Sequence, residues 1–450
     1  MEHSARMSGS DVSLSLPAIV DGPMGLPVGS PSSPGPTQSA RHSASKAVAD
    51  SKPGRWLALD LVRFCAVFLM VQGHVFSALL DPSYASERWL RHHNFVHGYT
   101  APMFLFASGL AFGYTTFRGW AANTKVGDGL WKRFRRYGWL LAIGYAMAMP
   151  ALSLTRLLAI DDPGTLQNWM RVDVLQHTGL SLAILQLIAV VVRTEKRFIA
   201  VVGSLFAFTV FAAPFLWDWD AAHYFPMPIA SYLTSRTGSL FPLFPWAGFT
   251  YAGVLVAYAA RTVKKPSREL AWPMLALTVA LFVLPVGLNR AGIQLYGAHD
   301  FWKSDPYYFF FRLANVMAIV TFWCFAERIA EGANWLKGLD AVSKKTAAAG
   351  TKKPLVARIV EVVRVIGAES LLIYVTHLVL LHGSVLTVGF IHYTGRTLTL
   401  GQAAFFAALL FVSMVVTAWT WHELKKGEWR FRILQWSALA AFGYMMITTH

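Results

Sequence analysis

An arginine and a histidine separated by ten residues, Arg63 and His74, share one apolar run, RFCAVFLMVQGH. Eleven positions is close to three α-helical turns, which puts both side chains on one face roughly 16 Å apart. Ionisable groups at membrane depth are costly and face a cavity, a pathway or a reaction site rather than lipid. A guanidinium at 63 can grip phosphate bidentately; a structural pairing with Asp60 or another buried carboxylate is the alternative. The following segment, SERWLRHHNFVHGYTAP, adds His92, His93 and His97. Imidazoles gathered in this way suit either zinc or acid-base chemistry. No cysteine and no HExxH pattern accompanies them, so no metal is expected. A general base needs only one imidazole titrating near neutrality within reach of a hydroxyl or amine.

A second polar stripe runs through ESLLIYVTHLVLLHG, where Ser370, Tyr374 and His377 follow at helical spacing on one face. On so apolar a helix that face points into a bundle. Asp173, Gln176 and His177 open another apolar run, and there a helix cap with its first turn is the simplest reading. Cys65 and Cys324 lie far apart in apolar runs, a pattern of small core thiols rather than of a disulfide framework.

The elements that must hold these residues are membrane helices. Hydrophobic residues make up 55% of the 450 and charged ones 14%, with repeated apolar runs near the length that crosses a bilayer. The expected fold is an all-α polytopic bundle of about eleven spans. They lie approximately at 57–79, 99–116, 134–152, 173–192, 197–216, 240–260, 271–289, 308–327, 363–382, 401–421 and 432–449. Residues 1–54, rich in Ser, Pro, Gly and Ala, form an expected disordered cytoplasmic tail, ahead of one transmembrane domain over 55–450. The net charge of +16 would suggest nucleic acid in a soluble protein, but here the basic residues cluster in alternate connections. One such loop holds Arg118, Lys125, Lys132 and Arg133, and another holds Arg261, Lys264, Lys265 and Arg268. The positive-inside rule then makes the amino terminus cytoplasmic and sets His74 at the outer end of the first span. Gly109 and Gly113 in GLAFG read as a helix-packing signal.

Five segments in order, DLVRFCAVFLMVQGH, HNFVHGYTAPMFLFASGLAFG, VDVLQHTGLSL, FPLFPWAGFTYAGVLVAY and VIGAESLLIYVTHLVLLH, resemble successive blocks of the heparan-α-glucosaminide N-acetyltransferase catalytic-domain family of membrane acyltransferases. The Arg-x10-His element is also similar to that of the acyltransferase-three membrane family. The resemblance implies that an acetyl group passes from cytoplasmic acetyl-CoA, a co-substrate rather than a resident cofactor, to a hydroxyl or amine of an extracytoplasmic glycan. By motif, His93 falls on the reactive loop histidine, five residues before the Gly of HGYT. His74 stands where the lysosomal enzymes carry Asn, and in the acyltransferase-three pattern it is itself catalytic. His74, His93 and Tyr374 are thus the expected catalytic residues, with Arg63, Ser370 and His377 on the donor. The expected surroundings are the lipid bilayer, as a multi-pass protein of the inner membrane if the source is bacterial. A homo-oligomer is compatible with this, and no nucleic-acid partner is expected. The alternative from a different class is a transporter or channel in which the Arg and His residues form a proton or anion pathway.

Overall fold

A computed structural model describes residues 56–333 and 354–448; the expected disordered tail at 1–54 lies outside the described residues. Long apolar runs fold here as helices, which satisfy their backbone groups internally as a bilayer demands. In order they are α1 (Leu57–Leu79), α2 (Arg88–His97), α3 (Thr100–Arg118), α4 (Asp128–Met147), α5 (Val174–Val192), α6 (Glu195–Phe211), α7 (Leu243–Ala260), α8 (Pro266–Arg290), α9 (Pro306–Gly332), α10 (Leu355–Ala368), α11 (Ser370–His382), α12 (Leu400–Lys426) and α13 (Glu428–Thr448), besides shorter turns left unlabelled. The only strands among the described residues are a two-residue antiparallel pair, Gly383–Ser384 with Thr387–Val388, just after α11. The all-α expectation therefore holds.

A helix stands at each expected span position. Among the described residues seven spans, counting α2 and α3 as one, are long and apolar enough to cross a membrane, and the bent pair α10–α11 makes eight if it is one span. The others fall short for separate reasons. α4 carries Lys132, Arg133, Arg135 and Arg136 in its first half, α6 has 17 residues, and α13 dilutes its apolar run with Arg432, Gln435 and Ser437.

Local chemistry marks where helices begin. Asp173 and Asp305 accept backbone N–H bonds at the starts of α5 and α9, and Thr399 with Gln402 forms a capping box on α12. The start of α1 is capped from afar. Buried Glu327 of α9 accepts from the backbone N–H groups of Leu57 and Ala58 at 3.2 and 2.9 Å. Ser267 donates to the same carboxylate at 2.6 Å and accepts from the Trp56 indole at 2.7 Å. A carboxylate at a helix N-terminus meets the positive end of the dipole, so α8 and α9 together fix the entry of the helix that carries Arg63 and His74.

α7 is the most enclosed of the candidate spans and α8 the least, which puts α7 at the centre. Its closest neighbour is α3. A Cβ at Gly109 would overlap the Thr250 carbonyl, one at Gly253 would overlap the Phe106 carbonyl, and one at Gly113 would come within 2.6 Å of the Ala257 Cβ. The backbones therefore touch, as the GLAFG pattern suggests. Gly109→Val should push them apart and cost about 3 kcal/mol, the upper range for overpacking a tight core. This would be read as a lower melting temperature in detergent, and an unchanged melting curve would contradict the contact.

Two connections orient the cavity-lining ends. The backbone N–H of Asp81 bonds the Leu398 carbonyl and that of Leu398 bonds the Leu79 carbonyl, each at 3.0 Å, tying the end of α1 to the segment before α12. The ninth expected span is broken: α10 and α11 meet at 74°. Buried Glu369, at the break, accepts from Lys425 at 2.5 Å and lies 3.2 Å from Nδ1 of His422, both on α12. This staple sets the direction of α11, the helix of Tyr374 and His377. Cys65 and Cys324 are free thiols.

Candidate active site

A cavity of about 540 Å³ lies among α1, α2, α3, α4, α5, α7, α9 and α11. Its apolar wall includes Met70, Phe104, Phe241, Trp246 and Leu378, and its polar groups are His74, His97, Arg171, Asp173, Gln176, Arg312, Tyr374 and His382. A mostly apolar concavity with a few convergent polar groups is the usual form of a small-molecule site.

His74 is the hub. Its ring centroid lies 5.5 Å from that of His97, 5.3 Å from that of His377 and 6.4 Å from that of His382. Neither of its ring nitrogens has a hydrogen-bond partner among the described residues. Both stay available to something entering the cavity.

His97 arrives there because α1 makes room. The last residue of α2, it sets its ring against Gly73, where a Cβ would overlap the imidazole. Its Nδ1 lies 3.2 Å from the Leu69 carbonyl. A carbonyl can only accept, so Nδ1 carries the proton and Nε2 keeps the lone pair. His377 is held in the same manner, with Nδ1 2.7 Å from the Ile373 carbonyl and Nε2 buried without a partner. Its ring is fully buried behind His74.

Across the cavity, the Tyr374 hydroxyl donates to Oδ1 of Asp173 at 3.4 Å. The same carboxylate oxygen accepts the Val174 backbone N–H at 2.6 Å. Asp173 is therefore both the cap that the sequence suggests and a cavity group. Two more cavity groups have open valences, since Oε1 of Gln176 and Nε1 of Trp246 are buried without partners. A buried polar group left unpaired costs stability, so such atoms in a cavity wall are natural contacts for a ligand. The Arg312 guanidinium lies over the Tyr308 and Trp246 rings at 4.4 and 5.6 Å. Neither Arg312 nor Arg171 pairs with a carboxylate among the described residues.

The expected site residues divide. His74 and Tyr374 line the cavity, and His377 backs onto His74. His93 does not line it; its ring stacks 6.3 Å from His97 and packs 4.8 Å from Phe76, with Nε2 buried and unpaired. Arg63 is half-buried three turns down α1, and Ser370 is half-buried at the first position of α11, both away from the cavity wall. His177 is a core residue satisfied at both nitrogens, by the Phe241 carbonyl at 3.0 Å and by Ser181 at 3.2 Å. Among the described residues, no three of His, Cys, Asp and Glu are placed to share a metal ion.

Sequence reasoning misses His382, Arg171, Arg312 and Trp246, and reads His97 only as one of several loop histidines. One signal was present: His97 and His382 each end a helix directly before a glycine, in VHG and LHG, while His74 follows one, in QGH.

A sequence model of the family described as heparan-alpha-glucosaminide N-acetyltransferase, catalytic, matches residues 55–300, more than half of the chain. No curated protein matches. The matched stretch runs from α1 through α8 and includes His74, His97, Asp173, Gln176 and Trp246; Arg312, Tyr374, His377 and His382 lie beyond it.

Proposed function

Because the chain belongs to the heparan-alpha-glucosaminide N-acetyltransferase catalytic family, we propose that it moves an acetyl group from cytoplasmic acetyl-CoA to an amine or hydroxyl of a sugar on the opposite face of the membrane. Family membership indicates a membrane N-acetyltransferase-type activity. The donor and acceptor follow from the family resemblance, and one observation supports a transfer reaction here: His74 offers two unpaired ring nitrogens to a largely apolar cavity.

In this reading His74 takes the proton from the acceptor as its nitrogen or oxygen attacks the thioester carbonyl. The tetrahedral adduct collapses with cleavage of the C–S bond, and a proton reaches the sulfur to give free thiol and an amide or ester. Tyr374 is the hydroxyl donor suited to the oxyanion, and Nε2 of His97 is a second basic nitrogen beside His74. His93, stacked on His97, acts from behind it. Arg63, with Ser370 and His377, serves the donor, whose phosphates enter from the cytoplasmic end of α1. The alternating basic loops support a cytoplasmic amino terminus and eleven spans.

The test uses sealed vesicles of the full chain, with acetyl-labelled acetyl-CoA at the cytoplasmic face and an amino sugar at the other. Label should appear on the sugar. A folded protein that neither binds acetyl-CoA nor transfers its label would overturn the proposal. Arg63→Ala should weaken donor binding more than it slows turnover at saturating donor, since a phosphate grip acts in ground and transition states alike. Arg63→Lys should restore only part of it, because an ammonium lacks the guanidinium fork. A large fall in kcat with unchanged donor affinity would contradict that role.

A further inference from the structure

Transfer to an amine raises a question of protons. An amine acceptor reaches the site from water largely as an ammonium ion, and RNH3+ with an acetyl thioester gives RNHAc, free thiol and one proton. The base must pass that surplus proton on before it can act again. Resting on the acetyltransferase reading, we propose that His382 is the exit: it accepts the proton from His74 and delivers it to the solvent outside the cavity.

Three observations carry this. His74 and His382 line the same cavity with ring centroids 6.4 Å apart, a gap that one water or a turn of the outer ring spans. His382 is exposed whereas His377, also beside His74, is fully buried. His382 closes α11 immediately before Gly383, whose φ of 84° ends the helix and turns the chain into the short hairpin. The imidazole thus sits at the rim, with one side toward His74 and the other toward water.

The other titratable groups of the cavity are poorer carriers. The guanidinium groups of Arg171 and Arg312 have no acceptor atom, and the Tyr374 hydroxyl is engaged with Asp173. The Asp173 carboxylate is engaged by Val174 and Tyr374. His97 has Nδ1 fixed on the Leu69 carbonyl, and the ring stacked behind it, His93, is not on the cavity wall. Of the three cavity imidazoles, His382 is the most exposed.

The experiment measures acetyl transfer to an amino sugar by the full-length protein in weak buffer, then with imidazole added outside. His382→Ala should slow turnover about 10- to 100-fold, less than loss of the base itself, and leave both KM values within about twofold. External imidazole should restore the rate with saturation. His382→Gln keeps the size and polarity of the side chain but cannot carry a proton, so it should behave like the alanine variant and respond to imidazole alike. Wild-type turnover by His382→Gln in weak buffer would overturn the relay, as would a loss that imidazole does not repair. Those outcomes leave the acetyltransferase reading standing. Absence of transfer by the wild-type protein would remove that reading and the relay together.

Discussion

His74→Ala should give a folded protein that still binds acetyl-CoA and transfers its acetyl group roughly two to four orders of magnitude more slowly, the usual worth of a general base. Removing this side chain costs little stability because its ring nitrogens bond nothing among the described residues. The chemistry loses its hub, since the rings of His97, His377 and His382 all converge on this one. His93→Ala should have a smaller effect, because that ring reaches the cavity only through its stack on His97. Turnover by His74→Ala within a few-fold of wild type would sink the assignment. If His93→Ala were the inactive variant instead, the base would lie on the α2 side of the cluster and His74 would become its partner.

Much of this arrangement was legible because it depends on local periodicity. The apolar runs marked the helices, the spacing of Tyr374 and His377 put them on one face of α11, and GLAFG announced the contact where Gly109 meets Thr250. The break before α11 was not legible. The run VVRVIGAESLLIYV is apolar throughout, and the 74° bend is secured at Glu369 by His422 and Lys425, more than fifty residues away. A pairing of that range leaves no trace in a sliding window. The roles of His97 and His382 were hidden for a related reason. A histidine before a glycine at a helix end reads as an ordinary terminus, favourable to the dipole, and only the convergence of α1, α2 and α11 gives it a cavity to face. Trp246, likewise, reads as core packing until its indole N–H proves to be buried without an acceptor.

Gly73→Ala should cut turnover about 100-fold while leaving the protein folded, the scale of loss that follows a misplacement of about 1 Å in an active site. A Cβ at 73 overlaps the His97 ring, so one of the two elements must yield. α1 cannot move cheaply, being capped by Glu327 at one end and tied to Leu398 at the other. α2 can, since none of its residues is fully buried. The displacement therefore falls on His97, which leaves the Leu69 carbonyl and loses its fixed tautomer and its place beside His74. A double-mutant cycle separates this from a general loss of packing. In His97→Ala the clash partner is gone, so adding Gly73→Ala should cost almost nothing further. If the two losses instead multiply, Gly73 matters for something other than seating that ring, and His97 must be held by contacts other than the one it makes against α1.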